Sequence, residues 1–205
     1  MTVPLRLQET ISTPRLILRT IDGSDLPALM EVNGDARVTR FLPYPTWQSM
    51  EDARAWHQRM AGIQESGSAL QLVVARKDSG LAIGTCLLFR YEEKSGRAEL
   101  GYVLGRAHWG QGFMHEALTA LIDHVFGKIG LRRLEAEIDP RNQASARVLR
   151  RLGFEQEGLL RERWLDKGAA SDSALFGLLR RDWSGDRSAK DHGSGGGPHP
   201  GGKPL

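Results

Sequence analysis

The chain changes its structural period once, around residues 105–114 (GRAHWGQGFM), and that junction limits the fold more than any other stretch. Upstream, Leu70 to Arg76, Ala82 to Arg90 and Ala98 to Leu104 read as strands joined by the turn sequences KDSG and EEKSG. Three strands linked by turns this short form an antiparallel meander. Downstream, Ala117, Leu118, Leu121, Ile122, Val125 and Phe126 recur at helical spacing as one apolar stripe. Gly105, Gly110 and Gly112 sit between the strand end and the helix start. Glycine there lets the backbone approach a ligand closely, and a helix N-terminus offers unpaired N–H groups to an anion.

The known phosphate motifs can be tested against this segment. A dinucleotide fingerprint needs a third glycine three residues beyond Gly112, where His115 stands. A nucleotide P-loop begins well with Gly105 and Gly110, but Gln111 and Gly112 occupy the places of its Lys and Ser/Thr. Neither pattern fits. The amides of Gln111, Gly112, Phe113 and Met114 still suit a pyrophosphate, and the alternative is a tight strand-to-helix connection. On these residues alone both readings stand.

The remaining elements are simpler. Arg15 to Ile21 alternates as a strand, and Ser24 caps a short helix to Asn33 with Asp25 in its first turn. Phe41 to Trp47 (FLPYPTW) is irregular, and Ser49 with Asp52 forms a capping box for a helix to Glu65. Leu134 to Ile138 is a strand, Gln143 to Leu152 a helix closed by Gly153, and strands near Phe154 to Leu160 and Ser173 to Arg180 follow. The order β-α-α-β-β-β-α-β-α-β-β gives one α+β domain with a mixed sheet over residues 1–183 and no internal repeat. Residues 184–205 are Gly/Pro-rich, with almost nothing to bury, and read as a disordered tail.

Composition excludes several classes. The single cysteine, Cys86, rules out an intrachain disulfide or thiolate cluster and reads as buried packing. No metal ion is expected. There is no apolar run long enough for a membrane span and no secretory layout at the N-terminus, so a cytoplasmic location is expected. Net charge is +3 without a basic block interleaved with aromatics, which argues against a dedicated nucleic-acid surface.

Four segments in register identify a resemblance: TPRLILR from Thr13, AELGYVLGRAHWGQGFMHEAL from Ala98, DPRNQASARVLRRLGFEQEGLLRE from Asp139, and LFGLLRRDW ending at Trp183. Together they resemble the GNAT superfamily of acyl-CoA-dependent N-acetyltransferases, nearest the Rim-type branch that acetylates ribosomal-protein N-termini. The resemblance implies a mixed central sheet with flanking helices. Its fourth strand is bulged and splays from the fifth, and acetyl-CoA wedges into the gap. The pantetheine arm would bond along Gly101 to Leu104, placing Tyr102, Val103 and Leu104 on the cofactor. The family's loop, Arg/Gln-x-x-Gly-x-Gly/Ala, falls on Ala107 to Gly112: Gly110 and Gly112 match, and Ala107 replaces the usual Arg or Gln. Asn142 matches the asparagine on the cofactor arm, and it can equally cap the helix that follows.

The implied reaction is direct attack of a neutral amine on the thioester in a ternary complex. An α-amine has a pKa of about 8 and a lysine about 10.4, so a proton must be accepted, while the leaving thiolate needs a donor. Many members use a tyrosine seven residues after the asparagine; Leu149 stands there. Ser145 is the candidate acid or hydrogen-bond donor to sulfur, against a first-turn serine bonding to backbone. Glu99 and Glu162 are the candidate bases, against solvated or ion-paired strand carboxylates. Phe41, Tyr44, Trp47 and Trp164 are placed at the acceptor pocket, with local core packing as the other reading of the first three. Expected partners are acetyl-CoA and an amine acceptor, either a protein N-terminus, ribosomal proteins included, or a small amine; a homodimer stays open. The competing class is a non-catalytic acyl-CoA sensor or scaffold on the same fold.

Overall fold

The computed structural model describes residues 5–166 and 168–185. Residues 186–205, nearly all of the segment read as a tail, lie outside the described residues. One eight-stranded sheet runs in the order β1-β2-β3-β4-β5-β6-β8-β7. Its strands are β1 (Ile11–Ser12), β2 (Leu16–Thr20), β3 (Leu70–Arg76), β4 (Ala82–Glu92), β5 (Arg97–Leu104), β6 (Arg133–Ile138), β7 (Glu155–Asp166) and β8 (Ala169–Leu179). The helices are α1 (Leu26–Asn33), α2 (Met50–Glu65), α3 (Phe113–His124) and α4 (Gln143–Arg151).

Every neighbouring pair is antiparallel except β5 with β6, which α3 connects. Parallel neighbours cannot be joined by a hairpin, so a crossover helix between them is a geometric requirement. That pair is also the shortest in register for its strand lengths. Only Arg97–Glu99 pair with Arg133–Glu135, after which β5 continues to Leu104 and β6 to Ile138 apart from each other. These are the fourth and fifth strands of the sequence reading, and they splay as expected.

The expected bulge is elsewhere. From Glu99 to Leu104, β5 pairs with β4 residue for residue. The extra residue is on β4, between Phe89 and Glu92, where Arg90 has φ +48°. Three smaller differences follow from local competition. Asp22, not Ser24, is the cap: it accepts from the Ser24 amide and opens a 3-10 turn ahead of α1. Asp25 accepts from the Asp22 amide at 3.0 Å and forms a part-buried bidentate pair with Arg19, at 2.7 and 2.8 Å. Strand β7 runs past Leu160 to Asp166, because a register shift between Leu160 and Trp164, with Glu162 at φ +48°, interrupts the alternation without ending the pairing.

The main core lies between one sheet face and helices α3 and α4, and includes Leu18, Leu72, Leu88, Leu100, Leu118, Leu134, Leu149 and Phe176. A second cluster under α1 and α2 joins Leu26, Leu29, Trp47, Ala53, Trp56 and Val73 on the opposite face. Cys86 is fully buried, and burial pushes its thiol up to about 12, which leaves it no nucleophilic role. Among the described residues no helix is long and apolar enough to cross a membrane.

Candidate active site

The gap between β5 and β6 is lined by main chain. The Gly105 amide donates to the Ile83 carbonyl at 2.8 Å, so strand alternation turns the main-chain groups of Val103 and Gly101 toward β4. Those of Leu100, Tyr102 and Leu104 turn toward the gap, and the Trp109 indole reaches Leu104 O from that side at 2.7 Å. This leaves Val103 without a cofactor-facing amide, and its side chain packs with Val32 and Val38 instead.

At the top of the gap the glycine loop enters α3. Gly110 and Gly112 have φ +72° and +78°, and the Glu116 amide bonds back to Gly112 O at 3.0 Å. The amides of Gly112, Phe113 and Met114 therefore precede the helical ladder. The side chains of Phe113 and Met114 are buried, so only their amides can meet a ligand. Gln111 folds back, its side-chain amide donating to Ala107 O at 2.9 Å.

On the other lip, Asn142 caps α4 and accepts from the Ser145 amide at 3.2 Å. Ser145 Oγ, nearly buried, lies 2.7 Å from Tyr102 Oη. Burial pushes the Tyr102 hydroxyl well above the usual phenol range, so it stays protonated. Leu149, at the missing tyrosine's position, is fully buried core.

Glu99 on β5 and Glu137 on β6 alternate with core residues Ala98, Leu100, Ala136 and Ile138, and so face away from α3 and α4. Arg90 bridges them, its Nη1 2.7 Å from Glu99 Oε2 and 3.4 Å from Glu137 Oε2. The Trp164 indole donates to Glu137 Oε1 at 2.5 Å. Burial raises the proton affinity of Glu99, and Arg90 only partly opposes it. Burial acts on Glu137 too, but hydrogen bonds from Ser173, Trp164 and Arg90 outweigh it and hold that carboxyl below the usual range.

The other assigned residues fall outside this cluster. Glu162 is exposed at the β7 irregularity, where it lines a surface hollow with Arg161 and Asp172, and its amide donates to Asp172 Oδ1 at 2.8 Å. Trp47 is buried against Trp56, with ring centroids 5.4 Å apart. The Tyr44 hydroxyl donates to Asn33 Oδ1 at 2.9 Å, and Phe41 is half-buried under Arg40. No described contact joins Phe41, Tyr44 or Trp47 to Glu99, Glu137 or Ser145. Trp47 closes over α1 and α2 because its ring gains from burial there, while Pro45 and Thr46 of the same segment line a surface hollow with Thr39 and Arg40.

Residues 15–155 match the sequence profile of the acetyltransferase (GNAT) domain. The chain belongs to the GNAT acetyltransferase family. It is 37% identical to the uncharacterized N-acetyltransferase p20 of Bacillus licheniformis over 86% of this chain and 99% of that one. It is 31% identical to the ribosomal protein uS5-alanine N-acetyltransferase of Escherichia coli over 85% of this chain and 92% of that one. Among solved structures it is similar to RimL, a ribosomal L7/L12 α-N-protein acetyltransferase in complex with coenzyme A. The TM-score is 0.76 at 27% identity, over 83% of this chain and 98% of that one.

GNAT acetyltransferases use acetyl-CoA, and the residues here fit it: parted strands with gap-facing main chain, and a helix N-terminus entered through two left-handed glycines. Two residues that the structure sets beside Glu99 carry no assignment from the sequence. Glu137 was detectable, since Glu135 and Glu137 alternate with Leu134, Ala136 and Ile138 and so share a face. Arg90 left no such signal, because its placement depends on a bulge at a non-glycine residue.

Proposed function

We propose that this enzyme moves the acetyl group of acetyl-CoA to a primary amine, with Glu99 as proton acceptor and Ser145 as hydrogen-bond donor to the leaving sulfur. One observation carries the reading: Glu99 faces away from α3 and α4, while Ser145 reaches the same gap from α4 on the opposite face. A thioester held between β5 and β6 then meets its acceptor on one side and releases its sulfur on the other. Acetyl-CoA supplies the thioester; the amine nitrogen bonds to its carbonyl carbon as the C–S bond breaks, and the extra proton left on nitrogen passes to the departing sulfur. Glu99 takes the ammonium proton before attack, and Glu137 stays ionised beside it. With Tyr102 as the donor to Ser145 Oγ, the serine O–H is left to hydrogen-bond the sulfur. The acceptor best supported is a protein α-amine, since relatives named for ribosomal-protein acetylation align over most of the chain.

Free thiol measured from acetyl-CoA with a panel of α-amine peptides, lysine and polyamines tests this reading. Thiol release with the peptides is expected. Saturable acetyl-CoA binding with no release on any amine would instead support the sensor class.

Two variants separate the parts. Ser145→Ala is expected to lower kcat about 10- to 100-fold, the worth of a hydrogen bond to a charged group, with acetyl-CoA KM nearly unchanged. Tyr102→Phe added to Ser145→Ala should cost nothing further; an additive loss would refute the shared path. Gly112→Val places a β-branched residue at φ +78° and is expected to raise acetyl-CoA KM roughly 5- to 150-fold. An unchanged KM would remove the loop from the cofactor site.

A further inference from the structure

Arg15, in the TPRLILR segment, has no part in the chemistry above, yet it holds the glycine loop from 96 positions away in sequence. Its Nη1 donates to the Gln111 carbonyl at 3.0 Å. Its Nε donates to Glu116 Oε2 at 2.6 Å, and its own amide to Glu116 Oε1 at 2.9 Å. The guanidinium lies 4.3 Å from the centroid of the Phe113 ring. Thr13 Oγ1 donates to Glu116 Oε1 at 2.6 Å, completing a clamp between the chain before β2 and the first turn of α3.

The position is costly for a cation, because the helix N-terminus is the positive end of the dipole. Glu116 offsets that charge. The benefit lies in the peptide plane that Arg15 grips. In a trans peptide the Gln111 carbonyl and the Gly112 N–H point in opposite directions. A guanidinium holding the carbonyl fixes the N–H on the other side, and among the described residues that N–H has no protein acceptor. A peptide between left-handed Gly112 and its neighbour would otherwise rotate at little cost.

We infer that Arg15 is a positioning residue that sets the Gln111–Gly112 peptide so that the Gly112 amide faces the pyrophosphate of acetyl-CoA. It does this in a chain whose loop has alanine, Ala107, where an Arg or Gln is usual. The inference rests on the acetyl-CoA reading above.

The test uses the full chain with Arg15→Gln and Arg15→Lys, one amine acceptor, and two thioesters: acetyl-CoA and acetyl-pantetheine, which lacks the pyrophosphate. Arg15→Gln is expected to raise acetyl-CoA KM about tenfold while kcat and the acetyl-pantetheine KM stay within twofold. Arg15→Lys should behave like Arg15→Gln, since a single ammonium cannot bond Gln111 and Glu116 in the same fork. Three results would overturn the inference: an unchanged acetyl-CoA KM, equal losses on both thioesters, or full rescue by lysine, which would indicate charge alone. Failure of the unmodified protein to use acetyl-CoA would sink the functional reading, and this inference with it; normal wild-type turnover with unaffected variants sinks only the inference.

Discussion

Glu99→Gln is expected to lower kcat by about two to four powers of ten while leaving acetyl-CoA KM in place. The amide keeps the volume and still accepts from Arg90, so the bridge to Glu137 survives and only the proton-accepting group is lost. We assign this role to Glu99 rather than Glu137 because their environments push their proton affinities apart. Burial lifts Glu99, with Arg90 opposing, and Glu137 lifts it further by like charge. The acid limb of the pH–rate profile should therefore lie above the ordinary carboxylate value and vanish in Glu99→Gln. Glu137→Gln removes the neighbouring negative charge, lowers the proton affinity of Glu99, and should move that limb to lower pH. A Glu99→Gln enzyme within threefold of wild type would end the assignment.

The same shifts act on stability with opposite signs. Glu99, raised in the fold, contributes most below its unfolded value, and that contribution is lost as pH rises through the folded one. Glu137 and Glu116 are lowered, so their contributions are present above the unfolded value and are lost as pH falls through the folded ones.

What the sequence disclosed follows from how local each signal is. The meander, the glycine junction, the Ser49–Asp52 box and the Asn142 cap depend on residues within a few positions of one another, and all four stand in the structure. The splay of β5 and β6 was legible only through resemblance, because no periodicity records where two strands stop pairing. The bulge shows the limit. One extra residue in either strand relaxes the same pair, and Arg90 at φ +48° carries none of the glycine signal that would have marked β4. The first helix shows another limit, since Asp22 and Ser24 are both good caps. The choice falls to Asp22 because Asp25, paired with Arg19, also accepts from the Asp22 amide and closes a reciprocal box.

Trp47→Ala is expected to destabilise the protein by about 3–5 kcal/mol, as for truncation of a buried aromatic, with kinetics of the folded fraction nearly unchanged. For a domain of this size that is a fall in Tm of about 6–20 °C. Sequence context put Trp47 and Trp164 in one acceptor pocket; in the structure they differ in burial and partners. Trp47 is 6% exposed, packed among Leu26, Leu29, Ala53 and Trp56, and its amide donates to Asn33 O at 3.1 Å. Its removal opens a cavity between α1, α2 and the sheet that rigid helices cannot close. Trp164 is 44% exposed, its indole bonded to Glu137 and its ring under Arg163. Trp164→Ala should cost less, at most about 1.5–3 kcal/mol, the worth of its hydrogen bond to an ionised carboxylate. It should also change acceptor KM, because under the proposed function Glu137 loses a donor on the face assigned to the amine. Chemical denaturation and acceptor kinetics on both variants decide the matter. If Trp47→Ala kept its stability and lost acceptor affinity, segment 41–47 would be a binding surface after all, and the boundary between core and site drawn by Trp56 would be misplaced.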